Sequence, residues 1–79
     1  MVTLTHTEIC PIHIVHTDSI VVGCWDEATA MFAMAVAETA DISAIPTVLR
    51  EWLSHDGTET FETSFLDDYG TEHVITYAV

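Results

Sequence analysis

Five residues near the N-terminus have side chains of the types that bind zinc: His6, Cys10, His13, His16 and Cys24. Thiolate and imidazole groups are the usual ligands of structural zinc sites. Their spacing, however, contains neither a C-x-x-C pair nor two histidines four apart on a helix, and His13 and His16 would point to opposite faces of a strand. A zinc-stabilised domain that uses His6, Cys10, His16 and Cys24 is therefore kept as an alternative hypothesis.

Catalysis by a cysteine or by paired carboxylates has little support in the sequence. Cys24 precedes a predicted helix, whose N-terminus can activate a thiol, but no histidine is placed beside it. Glu62 and Glu72, or Asp67 and Asp68, could approach each other, yet acid–base chemistry requires a cleft that desolvates such a pair. We therefore predict that the protein is not an enzyme and that it uses no cofactor.

Negative charge is the strongest chemical feature of the chain. The chain has thirteen Asp and Glu residues and a single Lys or Arg, Arg50, so its net charge is −12. Residues 56–72, DGTETFETSFLDDYGTE, contain six of these carboxylates and no Lys or Arg. Direct nucleic-acid binding requires a basic surface, so the sequence disfavours it and favours a basic partner. An acidic adaptor or antitoxin-like protein, whose charge serves solubility or adaptation to salt, is a second alternative.

The composition nevertheless indicates a folded domain. Apolar residues make up 49% of the chain, whereas disordered acidic tails are poor in them. A chain of 79 residues predicts one domain, residues 1–79. The longest mostly apolar run, residues 30–37, is far shorter than a membrane span of about 20 residues, and the N-terminus lacks the features of a signal peptide. We expect a cytoplasmic protein with reduced thiols.

The first half of the chain predicts strands followed by two helices. Residues 2–8 favour a strand or an extended arm, and residues 12–16 and 19–23 predict a hairpin across the turn Thr17–Asp18. Residues 26–41 predict a helix capped by Asp26, with a wide apolar surface that must pack on a sheet. The stretch of residues 42–57 predicts a short second helix, which has Pro46 at its first helical position and Gly57 as its stop.

The last twenty residues predict a second hairpin that turns at Gly70. In the favoured register, Phe61, Phe65, Ile75, Tyr77 and Val79 share one face, and Glu62, Ser64 and Glu72 share the other. The element order is ββααββ, with an extra N-terminal strand as an option. This is an α+β fold in which two helices cover one face of an antiparallel sheet. The acidic side chains are then expected on the other face, on the turn and along a nearby edge.

Three features of the whole chain resemble the small acidic anti-CRISPR proteins of bacteriophages and mobile elements. They are its size and lack of Lys, the strand-to-helix passage SIVVGCWDEATAMFAMAVAE, and the acidic closing hairpin TETFETSFLDDYGTEHVITYAV. Within that group the chain is most similar to type I-C inhibitors. The resemblance implies a non-enzymatic protein that binds a CRISPR surveillance complex in the host cytoplasm. Several acidic members of the group are DNA mimics that occupy the surfaces that read target DNA.

The leading hypothesis is therefore a DNA-mimic inhibitor of a nucleic-acid-binding machine. The partner would be a basic DNA-binding protein or a subunit of a CRISPR effector complex, with the inhibitor a monomer or a weak dimer. Charge and hairpin geometry, with Tyr69 as an aromatic anchor, select eight binding residues: Glu51, Asp56, Glu59, Glu62, Asp67, Asp68, Tyr69 and Glu72.

Overall fold

Two hairpins flank two helices in the order that the sequence predicts. The computed structural model describes all residues from 1 to 79. The elements are β1 (Val2–Ile9), β2 (Val15–Val22), α1 (Trp25–Thr39), α2 (Ile45–Leu53), β3 (Phe61–Leu66) and β4 (Glu72–Ala78). The strands form one antiparallel sheet in the order β2-β1-β4-β3. The predicted α+β fold is therefore confirmed.

The N-terminal hairpin differs from the prediction. Residues 17 and 18 do not form a turn; they lie inside β2, which pairs with β1 over eight residues, from Val2↔Val22 to Ile9↔Val15. The turn lies between the strands, where His13 adopts a φ of 65° and its amide donates to the Cys10 carbonyl at 2.8 Å. Eight paired residues form more ladder hydrogen bonds than the predicted five-residue strands could, so the longer hairpin is favoured.

The C-terminal hairpin has the predicted register. Phe61 lies opposite Tyr77 and Phe65 lies opposite His73. The turn closes with Gly70 at a φ of 81°, a left-handed conformation that glycine adopts without strain. Val79 lies beyond the end of β4 and is 66% exposed, so its predicted place on the buried face is wrong.

The helix starts also differ from the prediction. Helix α1 has Cys24 at its N-cap, and Asp26 lies in the first turn without capping it. The Glu27 carboxylate instead accepts a hydrogen bond from the Gly23 amide at 2.8 Å, which ties the first turn to the end of β2. Helix α2 begins at Ile45, so Pro46 takes the second helical position, where an amide proton is not needed either. Neither helix is long and apolar enough to cross a membrane.

Both helices pack on one face of the sheet, as predicted. The core there is aromatic: Trp52 is fully buried and stacks on Phe32 with ring centroids 4.0 Å apart, and Trp25 stacks on the other side of Trp52. The Trp52 indole N–H donates to the Thr29 hydroxyl at 3.0 Å. The buried tryptophan therefore has its polar group satisfied. Gly57, the predicted helix stop, lies past the end of α2 and against Trp25.

Candidate functional sites: the acidic edge and a histidine cluster

The open face of the sheet, which the helices do not cover, is not the acidic surface that the sequence predicts. The strand register gives this face two carboxylates, Glu62 and Glu72. They lie opposite Thr76 and Leu66, four residues apart along β4, which is roughly 14 Å. The two carboxylates therefore do not pair across the hairpin.

Hydroxyl side chains form hydrogen bonds across the open face. Cross-strand hydrogen bonds join Thr5 to Ser19 at 3.0 Å and Thr7 to Thr17 at 3.3 Å. The Thr76 hydroxyl donates to the Glu62 carboxylate at 3.3 Å. Threonine suits a solvent-facing strand because its branched side chain favours extended backbone and its hydroxyl is hydrated. Exposed Val15, Val21 and Leu66 share this face, so it combines hydroxyl and apolar side chains with only two carboxylates.

Four exposed carboxylates lie along or beside the sheet edge formed by β3, and we call Asp56, Glu59, Glu62 and Asp68 the acidic edge. All four are exposed, and β3 is the last strand of the sheet. Glu59 and Asp68 flank the ends of this strand, which spans about 17–20 Å. Asp56 and Glu59 border the same polar surface depression. The predicted acidic surface therefore runs along an edge and does not cover a face.

The remaining predicted contact residues have different surroundings. Glu51 is exposed on α2 and Glu72 is exposed on β4. Tyr69 is 88% exposed at the tip of the β3–β4 turn, so its ring is accessible to a partner. These three residues are exposed but do not belong to the acidic edge.

Asp67 is the clearest exception among the predicted contact residues, because its carboxylate points inward. Its side chain is 13% exposed and accepts hydrogen bonds from the Tyr69 and Thr71 amides, both at 2.9 Å. Its other oxygen lies 2.9 Å from Nε2 of His73. Burial alone would raise the pKa of Asp67, but the hydrogen bonds from His73, Thr71 and Tyr69 outweigh it and lower the pKa. Asp67 organises the turn and does not present charge to a partner.

None of the negative charge is balanced by a cationic Lys or Arg contact. The three ion-pair contacts in the protein join carboxylates to His6, His16 and His73. On the acidic edge, the Thr58 hydroxyl and amide donate to Asp56 at 2.6 and 3.0 Å and lower the pKa of that carboxyl group. The ionised form of Asp56 is therefore favoured, with no cationic partner beside it.

The charge density of the protein is comparable with that of nucleic acid. The longest dimension of the molecule is 34 Å, and duplex DNA of that length carries about 20 phosphate charges, at one per ~1.7 Å. A net charge of −12 on a body of this size is more than half of that value. A basic groove built for DNA would attract such a protein strongly at low salt.

The zinc set proposed from the sequence is not assembled. Cys10 follows β1 and Cys24 follows β2, so the two thiols lie at opposite ends of the first hairpin, roughly 25 Å apart. His16 lies on β2, and its Nε2 is 3.0 Å from Asp18. The four residues His6, Cys10, His16 and Cys24 therefore cannot share one metal ion.

His6 belongs to a different group, which we call the histidine cluster: His6, Glu8, Asp67 and His73. Nε2 of His6 lies 2.8 Å from Nδ1 of His73 and 3.9 Å from a carboxylate oxygen of Glu8. The strands bring them together because β1 lies between β2 and β4, which places His6 opposite Ile75 and Glu8 opposite His73. The cluster lies on the helix side of the sheet, at the end near the β3–β4 turn.

The hydrogen bonds of the cluster restrict where its protons can lie. The ionised Asp67 carboxylate can only accept, so Nε2 of His73 carries the proton that it receives. In the neutral form of His73, Nδ1 is then a lone-pair acceptor to which Nε2 of His6 donates. Burial, followed by the nearby His73, lowers the pKa of His6, although Glu8 and Asp18 partly oppose this. These causes favour the neutral form of His6.

Sequence reasoning missed Glu8 and His73 as members of a site. One signal was available for His73: it shares strand parity with Ile75 and Tyr77, which places a histidine on the buried face. It is 2% exposed in the structure, and a buried histidine requires polar partners. Those partners are Asp67 and His6, and the contact with His6 depends on the pairing of β1 with β4, which no local pattern encodes.

Comparison with known proteins gives no relative from which a function could be carried over. No family model matches the chain, and neither a curated protein nor a solved structure matches it. The resemblance to anti-CRISPR proteins therefore stays a prediction.

Proposed function

We propose that the protein is a non-enzymatic inhibitor that binds a basic, nucleic-acid-binding surface in place of DNA. The observation that carries this proposal is a net charge of −12 without a single carboxylate contact to Lys or Arg. Repulsion among unpaired like charges destabilises a small compact domain. A basic partner would relieve that repulsion, and this relief would make the free energy of binding more favourable.

The acidic edge supplies the charges that would stand in for phosphates. Asp56, Glu59, Glu62 and Asp68 are exposed and lie along or beside one strand. Strand β3 fixes the backbone of Glu62, and hydrogen bonds from Thr58 fix the Asp56 carboxylate before binding. Preorganised charges lose little conformational entropy when they bind. Glu51 and Glu72 add charge beside the edge, and Tyr69 offers an aromatic side chain of the type enriched at binding hot spots.

The target that the sequence profile suggests is a subunit of a CRISPR surveillance complex, most specifically of type I-C. Such a complex holds its target DNA in a positively charged channel. An acidic protein bound there would block the entry of target DNA. Its association would be fast and would weaken as salt rises, because screening reduces the attraction between the two surfaces.

The decisive experiment measures target-DNA binding by a purified type I-C surveillance complex in the presence of the protein. We expect wild-type protein to inhibit duplex binding, and we expect inhibition to fall between about 50 and 200 mM salt. The double substitution Glu62→Lys with Asp68→Lys reverses two charges of the acidic edge and should abolish inhibition. Circular dichroism and thermal melting should show that this variant remains folded, because both side chains are exposed.

The matched control is Asp26→Lys with Glu38→Lys, which makes the same change in net charge on α1. This control should retain most of the inhibition if the acidic edge makes the contact. Full inhibition by the Glu62→Lys, Asp68→Lys variant would refute the proposed surface. Unfolding of wild-type protein in buffer of low ionic strength would favour the salt-adaptation alternative, because a charge tuned to high salt requires counterions.

A further inference from the structure

Three potential metal ligands converge on the helix side of the sheet. One nitrogen of His6, one nitrogen of His73 and one oxygen of Glu8 all lie within 4.8 Å of one another. Zinc binds histidine nitrogen at 2.0–2.1 Å and carboxylate oxygen at 2.0–2.2 Å, so tetrahedral ligands lie about 3.3–3.6 Å apart. Moving from the observed spacing to that geometry requires shifts of about 1 Å, which the partly exposed side chains of His6 and Glu8 can make by small rotations.

The tautomer of His73 already suits metal binding. In the neutral ring, the contact with Asp67 keeps the proton on Nε2, so Nδ1, 2.8 Å from Nε2 of His6, has a lone pair available for a metal ion. A carboxylate that holds the distal nitrogen of a ligating histidine is the usual support of such a ligand, since it fixes the ring and increases its basicity. The His73 ring is also stacked on Phe65, with centroids 5.0 Å apart.

The surroundings of the cluster are favourable for a cation and open to solvent. Asp18 lies opposite His6 and His16 lies opposite Glu8 on the neighbouring strand, so further carboxylate and imidazole groups flank the cluster. The side chains of His6 and Glu8 are 30% and 42% exposed, whereas that of His73 is 3% exposed. An ion could therefore enter from solvent and bind against a rigid, buried ligand.

We propose that His6, Glu8 and His73 bind one divalent transition-metal ion, with Zn²⁺ as the expected ion and water completing its coordination. Two imidazoles and one carboxylate form a common zinc ligand set. Binding would replace the His6–His73 hydrogen bond and would join β1 to β4 beside the β3–β4 turn. The ion would stabilise the fold at the end of the sheet near the β3–β4 turn. This site is independent of the acidic edge and of the inhibitor function.

The test uses the full chain, with any affinity tag removed and metal stripped by a chelator. Isothermal titration with ZnCl₂ should show binding of one ion per chain, and Co²⁺ should give visible absorption bands typical of tetrahedral coordination. Thermal melting should show a rise in Tm of about 10 °C when free Zn²⁺ is a hundredfold above Kd. EDTA should reverse the rise. Absence of stoichiometric Zn²⁺ binding by wild-type protein would overturn the proposal.

The variants are chosen so that a folding failure does not decide the result. His6→Gln and Glu8→Gln change partly exposed ligands and should each weaken Zn²⁺ binding more than about tenfold, while the apoprotein stays folded. Asp67→Asn, which removes the support of His73, should weaken it by about 10- to 100-fold. His16→Gln is the control, since it changes a nearby histidine outside the ligand set, and it should bind Zn²⁺ as wild type does.

A second control addresses the free thiols. Cys10→Ser with Cys24→Ser should leave Zn²⁺ affinity and the Co²⁺ spectrum unchanged, because neither thiol is part of the cluster. Loss of binding in this variant, with binding retained in His6→Gln, would overturn the proposal in favour of thiol ligands. A Zn²⁺ affinity that is equal in wild type, His6→Gln and Glu8→Gln would also overturn it, because it would indicate weak association with surface carboxylates.

Discussion

The helix side of the sheet has two regions of opposite character. One is an aromatic region, in which Trp25, Phe32, Trp52, Phe61 and Tyr77 contact one another through stacked and edge-to-face rings. The other is the histidine cluster, built from polar side chains joined by hydrogen bonds. The helices cover the first region, whereas beside the second an open cleft of about 220 Å³ remains between β2 and α1.

The difference shows that two kinds of interaction hold this small domain together: burial of large rings in one region and hydrogen bonds in the other. Burial of large rings supplies most of the hydrophobic stabilisation, at about 25 cal/mol per Å² of apolar surface. The histidine cluster is held together by hydrogen bonds, and its His73 ring also stacks on the core residue Phe65. A buried polar network is tolerated only when its members are satisfied, and in this cluster Asp67 and His73 meet that requirement.

The largest expected effect is in the aromatic region, at Gly57. It has a φ of 82°, and a Cβ there would lie 2.6 Å from the Trp25 ring. Its carbonyl also accepts the Tyr77 hydroxyl at 2.8 Å. Gly57→Ala should lower the free energy of unfolding by about 2–4 kcal/mol, through backbone strain together with overpacking. Urea denaturation followed by tryptophan fluorescence measures it.

Gly70 is the matched control, because it shares the left-handed backbone but not the crowding. Its φ is 81°, and a Cβ would lie 3.5 Å from Pro11, an ordinary van der Waals contact. Gly70→Ala should therefore lower stability by about 1 kcal/mol, the backbone contribution alone. Equal losses at the two glycines would show that Trp25 does not pack tightly over Gly57.

The second prediction concerns Asp67, which the sequence assigns to the binding surface and the structure assigns to the turn. Asp67→Ala removes three hydrogen bonds from its carboxylate and should lower stability by about 2–3 kcal/mol. Asp68→Ala changes an exposed neighbour and should alter stability by less than about 0.5 kcal/mol. Chemical denaturation of both variants measures the difference.

The order of the two substitutions should be reversed when inhibition, and not stability, is measured. Asp68→Ala should weaken inhibition of the proposed target, whereas Asp67→Ala should weaken it only as far as the turn is disturbed. A stable Asp67→Ala variant that has lost inhibition would restore the original interpretation of Asp67 as a surface charge.

Patterns that are local in sequence predict much of this fold. Alternation of apolar and polar residues in β3 and β4, with Gly70 between them, gives the correct register because a shift by one residue would bury Glu62. The prediction for the first hairpin was wrong because the actual turn, at residues 10–14, contains Pro11 and a non-glycine residue with positive φ, His13. Neither the polar pair Thr17–Asp18 nor its neighbours distinguishes a turn from an exposed edge strand.

The candidate sites depend on contacts that are distant in sequence. His6 and His73 are 67 residues apart, and they meet only because β1 pairs with β4 in the middle of the sheet. Asp67 and Asp68 are identical in type and adjacent in sequence, yet one carboxylate organises the turn and the other faces solvent. Their separate roles follow from strand direction and turn geometry, which composition and charge counting do not contain.

The smallest expected effect has the opposite sign and lies at Thr63 of β3. This residue is 3% exposed, and its hydroxyl has no hydrogen-bond partner, in contrast to the satisfied His73. Thr63→Val keeps the shape of the side chain and removes an unsatisfied polar group, so it should raise the free energy of unfolding by about 1 kcal/mol. Thr5→Val is the control, because the Thr5 hydroxyl is paired with Ser19, and it should be neutral or slightly destabilising. Equal effects of the two substitutions would mean that the Thr63 hydroxyl has a hydrogen-bond partner in solution. The contrast between Thr63 and the satisfied His73 would then disappear.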